Sequence, residues 1–383
     1  MNFSSLVGQQ AVAGSLKQMV RKGRLSHASL FLGREGFGAL PLALAFAQYL
    51  VCEKVSIGQD APAEACGLCP ACVKSSQYIH PDIHFSYPVI PRKPGDKPIS
   101  SDYLAEWREF ISLHPYGNIY DWLQFIGAEN KQGNITANEC ADILRKLSLK
   151  SFESGYKILL MWLPEYLGNE GNKLLKLIEE PPDQTIFLLV AEDESKILPT
   201  ILSRTQLIRV PPIEKAAMER ALVERAGLDA PKAAQLAAVS EGNYREAQQI
   251  LQHAEEDWLE LLREWLNAIL QKGPVFQVKW VDEISKLGRE KQKQFLRYVN
   301  HLLEESLRLG ILGEDRIHLA PNEADFCKKL NKIAEPGQQE AMIREIDQAA
   351  YFIERNANPK LLFMALSIKL YHIIKDNSII LLY

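Results

Sequence analysis

Short apolar runs alternate with helical patterns through the first 210 residues of the chain. The apolar runs predict five strands: Ala28–Leu32, Leu123–Ala128, Lys157–Leu163, Thr185–Ala191 and Gln206–Val210. Apolar positions three and four residues apart predict helices between them: Ala39–Val51, Thr136–Leu147 and Asn169–Glu180. Strands that alternate with helices are typical of a parallel sheet covered by helices. We therefore expect residues 1–210 to form a doubly wound α/β module.

The segment Pro88–Tyr120 interrupts this alternation. It contains PRKPGDKP, in which proline, glycine and charged residues dominate. Such composition is typical of loops. We predict a loop-rich insertion here.

The second half of the chain shows helical patterns only. Pro211 and Pro212 break the chain, and an Ala-rich helical pattern follows from Ile213 to about His253. Beyond Glu255, apolar residues again recur at spacings of three and four. The pattern predicts a small helical domain at 211–253 and an all-helical domain at 254–383.

Composition and charge narrow the class of protein. The chain has 383 residues, of which 47% are hydrophobic and 24% charged, and this excludes general disorder. The net charge of −4 argues against nucleic-acid binding by bulk charge, although not against a local basic surface. The sequence carries neither a signal-peptide pattern nor an apolar run of about 20 residues. We expect a cytoplasmic protein without membrane contact, in which the cysteines are not paired as disulfides.

Four cysteines are spaced C-x13-C-x2-C-x2-C: Cys52, Cys66, Cys69 and Cys72. Four thiolates suit tetrahedral Zn²⁺ and leave no open coordination position, so we predict a structural zinc site. The alternatives are a redox C-x-x-C pair and four buried cysteines without a special role. His80 and His84 could replace a cysteine ligand, but we expect them at the surface. Cys140 and Cys327 are isolated and are expected to pack as small apolar residues.

A glycine-rich loop, Gly33-Arg-Glu-Gly36-Phe-Gly38, follows the first predicted strand and precedes a helix. It has the frame and the context of the phosphate-binding loop G-x-x-x-x-G-K-[ST]. Ala39 stands at the position of the phosphate-binding lysine, and Leu40 at that of the magnesium-binding hydroxyl. The alternative is an unrelated glycine-rich turn.

Two further catalytic positions of a nucleotide hydrolase are also apolar. The strand ending at Trp162 and Leu163 should end in acidic residues that hold Mg²⁺, and Ala191 replaces a polar residue after the next strand. Glu165 comes too late to serve and is expected to be an ordinary loop carboxylate. We expect that the chain does not hydrolyse ATP and that the loop of Gly33, Gly36 and Gly38 is empty of nucleotide.

Several segments together carry a family resemblance: SHASLFLGREGFG, the cysteine cluster, HPD at 80–82, KILLMWLPEYLGNEGNKLLKLIEEPP and ILPTILSRT. In this order they resemble the δ′ subunits of bacterial DNA polymerase III clamp loaders. The resemblance covers about the first 210 residues, while the helical remainder fits the layout of the family with little motif. The stretch between Asp82 and Asn134 is longer than in the family's usual form.

The resemblance implies an AAA+ fold, with an α/β module, a helical lid and a C-terminal helical collar for oligomerisation. It implies a stator subunit that does not hydrolyse ATP. The implied partners are the motor (γ/τ) and δ subunits, the sliding clamp, and primer–template DNA through the assembled complex.

The resemblance also implies roles for particular side chains. Ser203 and Arg204 match a motif that supplies an arginine finger to the ATP site of a neighbouring subunit, although Thr205 replaces the usual cysteine. A planar, permanently charged guanidinium suits that task. The alternative for Arg204 is an ordinary surface arginine. Arg245 lies where a sensor-2 arginine would stand in the lid, or it is a structural surface residue.

A set of basic residues could follow a DNA backbone, as helices of this module do in the family: Arg145, Lys146, Lys150, Lys173 and Lys176. A solvated charged face is an equally good interpretation, because acidic residues interleave with them.

Two other functions remain open at the level of sequence. One is an active AAA+ ATPase, such as the motor subunit of the same loader. The other is a zinc-dependent nucleic-acid-binding module on an inactive P-loop scaffold. An ATPase assay discriminates the first, and salt-dependent DNA binding by the isolated chain would favour the second.

Overall fold

The computed structural model describes residues 1–55, 64–128, 131–153, 155–252, 258–312, 319, 321–355 and 357–376. The chain forms two compact units, Met1–Leu251 and Gln252–Tyr383. The predicted boundary at 253/254 lies outside the described residues, and the predicted division at 210/211 falls within the first unit.

The first unit contains a parallel sheet of five strands: β1 (Ala28–Leu32), β2 (Ile83–Ser86), β3 (Lys157–Trp162), β4 (Thr185–Ala191) and β5 (Gln206–Arg209). Their order is β2-β3-β4-β1-β5, so β1 lies between β4 and β5. The strands β3 and β4 are buried along their whole length, which explains their unbroken apolar sequences. The predicted α/β class and four of the five predicted strands are confirmed.

The predicted strand Leu123–Ala128 is wrong. Its first residues belong to a helix, Ile119–Phe125, which begins with a capping box between Asn118 and Asp121. The strand that completes the sheet is Ile83–Ser86, which pairs with β3 at the edge of the sheet. Four residues, one of them a histidine, give too short an apolar run to predict a strand.

The helices of the first unit are α1 (Gln10–Arg21), α2 (Ala39–Val51), α3 (Pro70–Ser76), α4 (Leu104–Leu113), α5 (Ile119–Phe125), α6 (Ala137–Ser148), α7 (Leu175–Glu179), α8 (Pro199–Leu202), α9 (Lys215–Ala226), α10 (Ala230–Val239) and α11 (Tyr244–Gln252). The chain also forms 3₁₀ turns at Phe3–Ser5, Ser100–Tyr103, Pro164–Leu174 and Glu194–Lys196. The predicted helix Asn169–Glu180 is therefore wrong in part, because only Leu175–Glu179 is α-helical. Gly168 lies within the 3₁₀ segment Pro164–Leu174 and interrupts it, because its φ of 50° and ψ of −140° are not helical.

The predicted loop-rich insertion is partly helical. It carries α4, and α5 begins at its end; the helices enclose aromatic side chains that are fully buried: Tyr87, Trp107, Phe110 and Trp122. Tyr87 stacks on Trp107 with ring centroids 4.1 Å apart, and Trp107 lies 5.2 Å from Trp162 at the end of β3. This aromatic core fixes the segment on the sheet.

The described residues of the second unit form helices, as predicted: α12 (Trp258–Asn267), a π-helical turn (Ala268–Lys272), α13 (Pro274–Ile284), α14 (Arg289–Leu312), α15 (Pro321–Ile333), α16 (Pro336–Glu354) and α17 (Pro359–Asp376). Their core includes Trp265 stacked on Trp280 with centroids 4.8 Å apart. Across both units, no helix in the described part of the chain is long and apolar enough to cross a bilayer.

Candidate functional site

The four predicted cysteine ligands lie together. Their sulfur atoms are all within 4.8 Å of one another. The Sγ atoms of Cys66 and Cys72 are 3.9 Å apart, close to the roughly 3.8 Å expected between sulfurs on a tetrahedral ion with 2.3 Å bonds. Cys52 ends α2, and Cys69 is the N-cap of α3. The cluster could hold a metal ion.

Backbone N–H groups point at these sulfurs. The amide of Cys66 donates to Cys52 Sγ at 3.3 Å, and the amide of Cys72 donates to Cys69 Sγ at 3.4 Å. Hydrogen bonds from the amides of Cys69 and Leu68 lower the pKa of the Cys66 thiol to about 6. Burial raises the pKa of Cys52 and Cys72, so a metal ion would be needed to hold all four as thiolates.

The other cysteines and the two histidines lie outside this cluster. Cys140 and Cys327 are buried, and burial raises their thiol pKa to about 11 and about 12. His80 is 3% exposed, so its predicted surface position is wrong; its Nδ1 accepts the amide N–H of Asp82 at 3.2 Å. Neither His80 nor His84 belongs to the group of possible metal ligands, which consists of the four cysteines.

The glycine-rich loop has the predicted context, with β1 before it and α2 after it. Gly36 and Gly38 adopt φ values of +72° and +94°, which residues with side chains rarely do. Ala39 and Leu40 begin α2 and are buried, and their apolar side chains carry no group that could bind a phosphate or a magnesium ion.

The ends of the neighbouring strands are equally apolar. Trp162, Leu163 and Ala191 are each at most 1% exposed. Glu165 is no ordinary loop carboxylate, contrary to prediction. Its Oε1 accepts the amides of Glu192 at 2.6 Å and Asp193 at 2.9 Å, and burial raises its pKa. It ties the end of β3 to the end of β4.

Arg245 is buried, so the predicted surface alternative is wrong. Only 3% of its side chain is exposed, and its Nε and Nη2 donate to the carboxylate of Asp121 at 2.5 and 2.7 Å. Asp121 is 124 residues away along the chain. Sequence analysis missed this carboxylate, and the capping box at Asn118 was its one available signal.

Arg204 follows α8 and precedes the edge strand β5. Its Nε donates to Glu179 Oε1 at 2.5 Å, and its Nη1 donates to Thr200 O at 2.8 Å. Ser203 Oγ accepts from the same Nη1 at 3.2 Å. About a third (32%) of the Arg204 side chain stays exposed. Three of the four residues of β5 are exposed, so this edge of the sheet is open.

The basic residues singled out for DNA contact are partly paired. Arg145 and Lys146 both form ion pairs with Asp142, and Lys173 pairs with Glu170 at 2.5 Å. This agrees with the interpretation as a solvated charged face, while DNA contact stays a prediction.

Comparison with known proteins identifies the family. The family model described as "DNA polymerase III, delta subunit" matches residues 8–214, more than half of the chain. The chain belongs to this family. A relative described as DNA polymerase III subunit delta' from Bacillus subtilis is 27% identical over 314 residues, covering 81% of this chain and 80% of the relative. Its counterpart from Pseudomonas aeruginosa is 29% identical, covering 61% and 58%. This δ′-type chain is thus a clamp-loader subunit of DNA polymerase III.

Other relatives are more distant. DNA polymerase III subunit tau of B. subtilis is 25% identical, and the match covers 82% of this δ′-type chain and 48% of tau. Among solved structures, a gamma-subunit-related protein of Thermotoga maritima is 14% identical, with a TM-score of 0.40 and coverage of 94% and 98%.

Proposed function

We propose that this δ′-type chain is the subunit of its clamp loader that does not hydrolyse ATP and that completes the ATP site of a neighbouring subunit with Arg204. The observation that carries the proposal is the position of this guanidinium. It stands partly exposed beside an open sheet edge, while the chain's own loop has lost its catalytic groups.

The contacts of Arg204 favour an exchange of its partner, from Glu179 to a phosphate group of the neighbouring ATP site. Its ion pair with Glu179 is partly exposed on both sides, and such pairs contribute about 0–1 kcal/mol. A phosphate group carries more charge and accepts two parallel hydrogen bonds from a guanidinium. Release of Glu179 therefore costs little. Ser203 Oγ and Thr200 O also accept hydrogen bonds from Arg204, so the guanidinium lies against α8, next to the sheet edge.

The chain's own loop supports the other half of the proposal. Phosphoryl transfer depends on a lysine or equivalent cation, on a metal ion and on an oriented water molecule. Ala39, Leu40, Trp162 and Leu163 supply none of these groups. The chain would then act as a stator within an assembly in which other subunits hydrolyse ATP.

We further propose that the cysteine cluster holds a structural Zn²⁺. Four thiolates prefer a soft, tetrahedral ion and leave no position for a substrate. A bound metal ion would join the end of α2 to the start of α3. Metal analysis of freshly purified, reduced protein tests this proposal, and the redox alternative predicts protein without zinc.

The partners we propose are the γ/τ and δ subunits, and, through the assembled loader, the sliding clamp and primer–template DNA. The second unit would serve as the collar that joins the subunits. Its helices α13 and α17 present exposed apolar side chains, of which Val275 is 80% and Leu361 is 73% exposed.

The test is a reconstituted clamp loader that contains Arg204→Ala. Folding, metal content and assembly should be unchanged, while DNA- and clamp-stimulated ATPase and clamp loading should fall. An arginine finger is typically worth on the order of 10³–10⁵ in rate at its own site, but the total falls less because other sites remain. Arg204→Lys should rescue poorly, since an ammonium ion cannot form the two-pronged contact.

Arg209→Ala is the matched control. Arg209 lies on the same sheet edge and is 71% exposed, with one distant ion pair to Glu194 at 3.9 Å. The Arg209→Ala variant should load clamps at the wild-type rate. Normal clamp loading by the Arg204→Ala loader would refute the arginine finger, and equal losses in both variants would indicate a general surface effect.

A further inference from the structure

A segment of the insertion enters the space between the glycine-rich loop and the start of α11. Its Tyr116 is 5% exposed, and the tyrosine Oη accepts the amide N–H of Val7 at 2.8 Å. The tyrosine ring lies against the loop: a Cβ atom on Gly38 would be 3.1 Å from Tyr116 Cε1. The ring also packs edge-on against Tyr244, with centroids 4.9 Å apart. The segment thus contacts the N-terminus of α2, where a P-loop holds phosphate.

The first turn of α5, at the end of the insertion, brings a negative charge to Arg245. Asp121 accepts two hydrogen bonds from the guanidinium, and Glu35 of the loop lies 4.0 Å from Arg245 Nη1. Asn118 Nδ2 donates to the other oxygen of Glu35 at 2.6 Å. Arginine binds carboxylates and phosphates through the same bidentate contact. Two of the three guanidinium nitrogens, Nε and Nη2, therefore donate to the chain's own carboxylate in the way that they could donate to a phosphate.

The residues that precede α11 close the remaining face of the loop. A Cβ atom on Gly36 would lie only 1.7 Å from Asn243 Oδ1, so the asparagine side chain rests directly on this glycine. The amide of Tyr244 donates to Gly36 O at 3.0 Å. From the other side, Gln9 Nε2 donates to Phe37 O at 2.9 Å and to Pro211 O at 2.6 Å.

From these contacts we infer that the end of the insertion and the first turn of α5 form an internal plug for the nucleotide site. Tyr116 and Asp121 take the place of a bound nucleotide, exclude it, and hold the helices of residues 213–252 against the loop independently of any nucleotide. This deepens the part of the proposed function that concerns ATP, and it is independent of the role proposed for Arg204.

The first experiment is nucleotide binding to the full wild-type chain. The probes are ADP and ATP with Mg²⁺, read by thermal unfolding, and a mant-labelled ADP, read by fluorescence. A ligand that binds only the folded state raises the midpoint of unfolding. We expect no shift and no fluorescence change at millimolar nucleotide. A shift of several degrees would overturn the plug while leaving the Arg204 test untouched.

The second experiment follows amide hydrogen exchange in variants. Asp121→Asn keeps the shape but removes the charge that Arg245 requires, so exchange in residues 244–251 should quicken by roughly tenfold or more. Tyr116→Phe removes the acceptor of the Val7 amide and should quicken exchange at that amide. Tyr103→Phe is the control, because the hydroxyl of Tyr103 donates to Ile90 O elsewhere in the insertion.

The outcomes are distinct. Faster exchange in the Asp121 and Tyr116 variants supports the plug, provided that the Tyr103 control exchanges residues 7 and 244–251 at the wild-type rate. Unchanged exchange in a folded Asp121→Asn chain overturns it. If Asp121→Asn does not fold, the other two measurements still test the plug. The plug requires faster exchange of the Val7 amide in Tyr116→Phe, and it requires that the wild-type chain does not bind nucleotide.

Discussion

Two arginines of the first unit each pair with a carboxylate, but at different depths. Arg245 is 3% exposed against Asp121, and Arg204 is 32% exposed against Glu179. Arg245, Asp121 and Glu35 bring together three segments that are distant in sequence, whereas another anion could replace the partly exposed Glu179 as the partner of Arg204. The comparison teaches that Arg245 belongs to the packing around the glycine-rich loop, whereas Arg204 keeps a partly exposed guanidinium, as the proposed arginine finger requires.

The largest effect we expect comes from the cysteine cluster, for which we propose a structural Zn²⁺ and which, like Arg245, would serve the fold. Cys69→Ser should lose the metal ion and destabilise the first unit by several kcal/mol, because closed thiolate sites contribute folding energy. Metal analysis and denaturant unfolding check this. Cys327→Ala, far from the cluster in sequence, should keep the metal. Full metal content in Cys69→Ser would contradict the four-cysteine site.

The direct comparison of the two ion pairs comes next. Asp121→Ala leaves Arg245 buried without its partner and should cost about 3–5 kcal/mol of unfolding free energy. Glu179→Ala removes the partner of Arg204 and should cost about 0–1 kcal/mol. Urea unfolding of both variants measures the difference. Similar costs would show that burial does not separate the two arginines.

Restoring the lost loop residues should not restore activity. Ala39→Lys with Leu40→Thr supplies the cation and the hydroxyl, yet Trp162 and Leu163 still provide no metal ligand. We therefore expect no ATP turnover. Both positions are buried, so the lysine at position 39 would overpack its site and the smaller, polar threonine at position 40 would leave a void, and we expect a loss of about 1–3 kcal/mol. ATPase assays on the purified variant check this, and turnover above the wild-type background would contradict it.

A smaller effect concerns pH. Burial raises the pKa of Glu165 above its ordinary value of 4.5. The folded chain then binds this proton more readily than the unfolded chain, so the contribution of Glu165 to stability falls as pH rises from about 4.5 through the raised pKa. Relative to Glu165→Gln, which can still accept both amides, wild type should lose stability across that interval. Parallel pH profiles of the two proteins would contradict the assignment.

The parts predicted from sequence are those with strong local signals. The strands β1 and β4 and the helix α2 match their predicted bounds, because each is a continuous apolar run buried in the core. The clustering of Cys52, Cys66, Cys69 and Cys72 could be predicted from their spacing alone. The apolar residues at the expected catalytic positions could be read directly from the sequence of the glycine-rich loop and of two strand ends.

The parts that were missed depend on contacts across the chain. A short apolar run fits a buried helix as well as a strand, and Leu123–Ala128 was mistaken for that reason. The helices of the insertion are held by aromatic side chains that a loop-like composition conceals. The pairing of Arg245 with Asp121 spans 124 residues and leaves no periodic signal.

The central claim is that one ATP site of the loader depends on this chain. A rapid-quench measurement of ATP hydrolysed in the first loading event, with wild-type chain or Arg204→Ala in the same loader, tests it most directly. The account predicts a burst that is smaller by the share of one site, with assembly and DNA affinity unchanged. An undiminished burst in the fully assembled Arg204→Ala loader would contradict it.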